Sequence, residues 1–194
     1  KETFVPHTKK NVKAFIVGGE HLLGEEAEFC QRTFPEAEIY NEYGPTEATV
    51  GCVVYQLQKE GKYSTVPIGR PISNTKLYVV DGYLSPVPVG VPGELYIGGV
   101  GLARGYLGRS ELTAERFIEN PFASEEDKAT GKNLRLYRTG DLVRYLSDGN
   151  IEYLGRIDEQ VKIRGFRIEL GEIENVLNGY KNIKASLVVA REEE

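Results

Sequence analysis

An α/β fold that gives way to a β-rich second half is what this sequence predicts, and three observations carry the prediction. "NVKAFIVGG" (11–19) is a near-continuous apolar run closed by paired glycines, and "AEIYNEYG" (37–44) is strand-like again after a helical stretch. Strand, helix and strand in that order describe a βαβ-type unit built on a parallel sheet. From "GCVVYQL" (51–57) to "GELYIGG" (93–99) the residues alternate apolar and polar in short runs, the period of half-buried strands. Finally, 22 glycines and nine prolines in 194 residues exceed the usual ~7% for glycine and cut the chain into many short elements.

Taken in order, Leu23, Ala27, Cys30 and Phe34 recur at helical spacing between the first two strands. "TKLYVVD" (75–81) and its neighbours predict a smaller β-rich layer or distorted barrel, and "SELTAERF" (110–117) predicts one capped helix. "ENPFASEEDKATGKN" (119–133) is polar enough to be a mobile loop. "DLVRYLSDGNIEYLG" (141–155) alternates on both sides of Asp148-Gly149, the dipeptide suited to a two-residue hairpin turn. After "GRIDEQ", a ribbon "VKIRGFRIEL" (161–170) leads to a helix with Ile173, Val176, Leu177 and Tyr180 on one face, then to a strand "KASLVVA" (184–190). A new βαβ-like unit therefore starts near Asp158.

With 40% apolar residues, 27% charged residues and a net charge of −5, the composition is that of an ordinary soluble protein. No broad basic surface argues for a nucleic-acid or membrane partner. Cys30 and Cys52 form no CxxC, and His7 and His21 form no HExxH, so zinc and disulfide frameworks lack support and reduced thiols in the cytoplasm are expected. No apolar run approaches the ~20 residues of a membrane span. The chain has no Met, begins with Lys and runs a strand-like segment into its end, which suggests a piece of a longer polypeptide.

"NEYGPTEATV" (41–50) concentrates the chemistry. A tyrosine ring can stack on a flat base, Asn41 can pair with a ring edge, Thr46 can donate to a phosphate oxygen, and Glu47 offers oxygens to Mg²⁺. The same residue types also make a plain turn after a strand, with its acids solvated.

"YGPTE" after a buried strand resembles the adenylate-forming enzyme superfamily. With "IVGGE", "GELYIGGVGLARGYL", "YRTGDLVRY" and "GRIDEQVKIRGFRIELGEIE" in the same order, the chain is similar to the amino-acid adenylation domains of nonribosomal peptide synthetases. The resemblance implies that 1–157 is the C-terminal portion of a large subdomain (βαβ layer 1–60, β-rich region 61–157), and that 158–194 begins a small α+β subdomain. Asp158 would be the hinge between them. It further implies that ATP and Mg²⁺ serve the reaction, with Thr46 near the α-phosphate and Glu47 on the metal. Tyr43 would stack on adenine with Asn41 at its edge, the Gly44 carbonyl would meet the substrate amino group, and Gly18, Gly19 and Glu20 would line the approach. Asp141, with Tyr153 and Arg156, would hold the ribose.

The substrate pocket maps to Ile16, Gly18, Glu42, Val50 and Gly51; its single acid suggests a side chain with N–H donors, asparagine first and ornithine second. The ribbon around Gly165 would line a tunnel for the phosphopantetheine of a peptidyl carrier domain, with neighbouring synthetase domains as further partners. A Gly/Ser/Thr-rich phosphate loop is expected upstream of Lys1 and a catalytic Lys downstream of Glu194. An acyl- or aryl-CoA ligase of the same superfamily, or a non-catalytic nucleotide-binding module, are the alternatives.

Overall fold

The computed structural model describes residues 12–59, 61–158, 160–163 and 166–191. His7, Arg164 and Gly165, and with them the tip of the expected tunnel ribbon, lie outside the described residues.

The expected strand–helix–strand unit is present. Strand β1 (Ala14–Gly18) leads into helix α1 (Gly24–Thr33) and then strand β2 (Glu38–Tyr43), with β1 and β2 paired in parallel. The Glu26 carboxylate accepts from the Leu23 N–H at 3.0 Å and so satisfies one orphan donor of the first helical turn. Ala27 faces inward onto Leu22, Ile39, Leu57 and Val66, so the helix is anchored by its apolar stripe. The sheet continues antiparallel through β3 (Val53–Gln56) and β4 (Arg70–Pro71).

The β-rich half is a five-stranded antiparallel sheet. Its strands are β5 (Thr75–Val80), β6 (Gly93–Gly99), β7 (Phe117–Glu119), β8 (Arg135–Tyr145) and β9 (Ile151–Arg156), with helix α2 (Ser110–Arg116) before β7. One core clamps the two sheets together: Tyr43, Cys52 and Val53 from the first pack with Val79, Leu95, Ile97, Val143 and Ile151 from the second. Each such aliphatic side chain contributes on the order of 2 kcal/mol by leaving water, so this cluster, and no single polar contact, fixes where the second sheet lies against the first.

Several local expectations are corrected. The polar stretch after β7 holds a helix, α3 (Glu125–Thr130), because Ser124 and Asp127 cap it reciprocally and Gly131 ends it with φ 68°. Lys76 Nζ adds an ion pair to Asp127 at 3.0 Å; that bond and the Ser124 donors hold the carboxyl well below its usual range. Helix α2 has no side-chain cap: Ser110 is already its first helical residue, and Arg109 precedes it. The β8–β9 hairpin closes through three residues, not two. The Gly149 N–H reaches the Leu146 carbonyl at 2.9 Å, and Gly149 itself takes φ 82°, a type I turn completed by a left-handed residue.

Beyond β9 the chain forms a two-stranded ribbon, β10 (Val161–Ile163) with β11 (Phe166–Ile168), and helix α4 (Leu170–Asn178). Helix α4 stops before Tyr180, leaving Ile173 and Val176 exposed. "KASLVVA" forms no strand, since no described strand lies alongside it to take up its backbone groups. The described helices include none long and apolar enough to cross a membrane.

Candidate functional site

Strands β1 and β2 end side by side, with Gly18 opposite Glu42, and a cavity of about 340 Å³ opens just beyond them. Parallel strands put their C-terminal ends, and the loops that follow, at one edge, where α/β ligands bind. Gly19, Glu20, Asn41, Glu42, Tyr43, Gly44, Tyr153 and Arg156 line this space. Eight expected residues from three separate strands and their loops thus meet around one opening.

The buried face of β2 delivers Asn41 and Tyr43. The Asn41 amide donates to the Pro67 carbonyl at 2.8 Å, which ties β2 to the segment before β4. Tyr43 is only 9% exposed and packs in the inter-sheet core, and its hydroxyl donates to Asp141 Oδ2. Burial, then the Asp141 charge, push the phenol's pKa well up, so it stays a neutral donor. Asp141 lies behind the cavity wall, and its Oδ1 accepts from Arg156 Nη1 at 2.9 Å.

Asp141 faces inward because β8 breaks its alternation: Thr139, Gly140 and Asp141 are buried in succession. Gly140 takes φ 74°, which selects glycine; a Cβ there would meet only the side-chain ends of Asp158 and Arg156, at 2.7 and 2.8 Å. The pairing of β6 with β8 shifts register at the same place, as a bulge that re-aims a side chain does. Arg156 is the hub. Besides Asp141 it donates to the Thr139 carbonyl at 2.9 Å and, through Nε, to Asp158 Oδ1 at 2.8 Å. The expected hinge residue is therefore forked onto the residue that walls the cavity. Burial pushes the Asp158 carboxyl up, but the Arg156 bonds and charge prevail and hold it below its usual range. Burial also pushes the Tyr153 phenol up to about 12.

Thr46 and Glu47 do not join this cavity. They form a 3-10 turn after Gly44; Thr46 is exposed and Glu47 is buried. Glu47 borders a second opening of about 440 Å³ with Tyr106, Arg116 and Arg167. The Tyr106 hydroxyl donates to Glu47 Oε1 at 2.6 Å, and Arg167 Nη1 reaches both carboxylate oxygens at 2.9 and 3.0 Å. Burial pushes this carboxyl up, but those two donors outweigh it and its pKa falls below the ordinary value.

Of the expected substrate pocket, Gly18, Glu42 and Gly51 are in close contact. A Cβ on Gly18 would meet the Glu42 carbonyl at 2.5 Å, and one on Gly51 would meet the Glu42 carboxylate at 2.1 Å. Gly18 is thus required by the neighbouring strand, while at Gly19 the space is open and φ 96° selects glycine. Ile16 and Val50 are 68% and 61% exposed and are not among the residues that line the cavity, so the structure does not bring these two into the expected pocket. Thr49 and Val50 both take φ 62°, an uncommon conformation for β-branched residues. The Thr49 hydroxyl donates to the Gly101 carbonyl at 2.6 Å and holds the turn there.

Sequence reasoning missed His21, Lys162, Tyr106 and Arg167. Lys162 lines the first cavity with its Nζ 6.0 Å from the Tyr43 ring centre, and His21 meets Tyr153 edge to face at 5.5 Å. Tyr106 stands in "GELYIGGVGLARGYL" and Lys162 and Arg167 in the ribbon expected to line the carrier tunnel, while His21, just after "IVGGE", carries no signal of its own.

Residues 3–107 match the family described as AMP-binding enzyme. The chain is 50% identical over 183 residues to tyrocidine synthase 3 of Brevibacillus parabrevis, and 52% identical over 183 residues to bacitracin synthase 3 of Bacillus licheniformis. It spans only 3% of the length of each of those relatives, with 94% and 93% of its own length in the two matches. Among solved structures it resembles NpsA-ThdA, an artificially fused adenylation-PCP di-domain from Klebsiella oxytoca, at TM-score 0.77 and 32% identity over 94% of this chain and 33% of that one. It also resembles PA1221, a nonribosomal peptide synthetase protein containing adenylation and PCP domains, at TM-score 0.80 and 29% identity over 93% and 36%.

Proposed function

Because this chain belongs to the AMP-binding enzyme family, we propose that it forms part of a cytoplasmic adenylation domain of nonribosomal peptide synthesis. Such a domain is an ATP-dependent ligase that activates an amino acid as its adenylate and loads it onto the phosphopantetheine thiol of a peptidyl carrier domain. The observation that carries the reading is the cavity beyond β1 and β2, whose wall combines Tyr43, Tyr153 and Arg156. A flat apolar ring face beside a guanidinium suits a base joined to a hydroxylated, anionic group.

In this reading Tyr43 offers its face to the base, with Asn41 and Gly44 at the edge and Gly19 and Glu20 across the opening. Tyr153 and Arg156 flank the sugar. Asp141 stands behind this wall, with one lone pair toward Tyr43 and one toward Arg156; the two that remain on the carboxylate meet the sugar hydroxyls in this reading once Tyr153 and Arg156 part around the ligand. Thr46 and Glu47 serve the phosphates.

No cluster of three or more His, Cys, Asp or Glu side chains suited to a metal occurs among the described residues. Glu47 fits Mg²⁺ as a single hard oxygen ligand, the remaining ligands being phosphate oxygens and waters, as is usual for that ion. Bound Mg·ATP supplies the electrophilic phosphorus and charge neutralisation, while the chain's own residues orient the reactants. For the substrate, Glu42 stacked over Gly51 supports a side chain with N–H donors, asparagine before ornithine. Residues 1–157 are assigned to the large subdomain and 158–194, beyond the Asp158 hinge, to the small one.

Calorimetric titration of the full-length protein with a non-hydrolysable aminoacyl-adenylate mimic tests the nucleoside site. Tyr43→Ala is expected to weaken binding about 5- to 150-fold, the loss of a stacking platform worth about 1–3 kcal/mol, whereas Tyr43→Phe retains most of the affinity. Indifference to Tyr43→Ala would instead favour a non-catalytic module. The 194 residues by themselves are expected to give no amino-acid-dependent pyrophosphate exchange, since losing even one preorganised charge-stabilising donor costs about 10²–10³ in rate. Robust exchange by the isolated chain would refute the assignment of the phosphate loop and catalytic Lys to segments outside it.

A further inference from the structure

Arg167 sits directly on the Glu47 carboxylate. Its Nη1 donates to both oxygens of Glu47, at 2.9 and 3.0 Å. The arginine is itself held on two more sides: Nε donates to Gln160 Oε1 at 2.7 Å, and Nη2 donates to the Tyr137 hydroxyl at 3.2 Å. Gln160 is buried, as is Tyr137. A fork carried on β11 is thus fixed onto a carboxylate from the turn after β2, 120 residues away.

Glu47 is 7% exposed, and a carboxylate that deep needs a cation close by. Either Arg167 or a divalent ion can supply that charge. Tyr106 and Arg167 already take three of the roughly four lone pairs of this carboxylate, and a divalent ion on either oxygen would lie within a few ångströms of the guanidinium, where like charges repel. Tyr106 bonds Oε1 alone and carries no charge, so it can remain in either case.

Resting on the reading of Glu47 as a metal ligand, we propose that Arg167 is a positioning residue that serves as the internal cation of Glu47, so that docking of the β10–β11 ribbon and metal binding at Glu47 exclude each other. Arrival of the metal frees the ribbon, and its departure lets the guanidinium return. A merely structural ion pair would hold the ribbon equally well with or without metal.

Two measurements on the full-length protein test this. Manganese(II), a paramagnetic stand-in for magnesium, is titrated without nucleotide and followed by electron paramagnetic resonance. Arg167→Gln is expected to bind it at least tenfold more tightly than the unsubstituted protein, and Glu47→Gln to lose most of that binding. Hydrogen exchange of the unsubstituted protein is then compared with a non-hydrolysable ATP analogue in the presence of Mg²⁺ or of EDTA. The amides of 161–163 and 166–168 are expected to exchange severalfold faster with Mg²⁺. Unchanged manganese affinity in a folded Arg167→Gln, or no metal effect on ribbon exchange, overturns the proposal while Glu47→Gln still reports on the metal site. Undiminished binding in Glu47→Gln removes the metal-ligand reading itself, and the proposal with it. Should Arg167→Gln fail to fold, the exchange comparison decides alone.

Discussion

Arg156→Ala is expected to lower stability by about 3 kcal/mol, the cost of leaving a buried charge without its partner. The side chains of Arg156 and Asp141 are 13% and 5% exposed, so water cannot replace the lost bond. Three acceptors depend on this one guanidinium: Asp141, Asp158 and the Thr139 carbonyl. Arg116, 3.8 Å from Asp158, recovers little of that. Urea unfolding checks the figure, and the same variant is expected to lose binding of the adenylate mimic because it removes part of the cavity wall. Arg156→Lys keeps the charge but not the forked geometry and is expected to fall between. An unfolding midpoint that does not move with Arg156→Ala would show that the network orients groups without stabilising the fold.

Gly44→Ala is expected to do comparable damage by a different route. A Cβ at this position would lie 1.5 Å from the Val50 carbonyl oxygen and 2.9 Å from the Cys52 amide nitrogen. Those are backbone atoms, held by the Cys52 N–H to Tyr43 carbonyl bond at 3.0 Å and the Val50 N–H to Pro45 carbonyl bond at 3.1 Å. They cannot swing aside as a flexible side chain would, so the loop must open. Overpacking costs about 1–3 kcal/mol, and backbone displacement puts this case at the upper end. Since the same loop carries Thr46 and Glu47, loss of mimic binding and weakened manganese binding are both expected. A crystal of Gly44→Ala with the loop unmoved would contradict the argument.

Much of this arrangement is legible in the sequence. The paired glycines after an apolar run, the strand before Tyr43 and the Asp-Gly hairpin all follow from local periodicity and turn chemistry, and the structure has a strand or turn at each. Of the misses, one is local in origin and one is tertiary. Ser124 and Asp127 stand at capping-box spacing, but the polarity around them masked a three-residue signal. The terminal apolar run reads as a strand, yet a strand requires a neighbour to bond with.

What the sequence determined by itself is the set of local conformations and the ordered motifs by which the chain belongs to its family, because both depend on residues near one another along the chain. Tertiary structure alone decided which charged groups meet. Tyr43 and Asp141 are 98 residues apart, and the partner of Glu47 comes from a ribbon further still along the chain. Periodicity tells which face of a strand is buried, but not what another element will set against it. That choice was made by the apolar core between the two sheets, which aligned their edges and left buried acids and arginines to pair across the gap, where an unpaired charge would cost more than the fold could sustain.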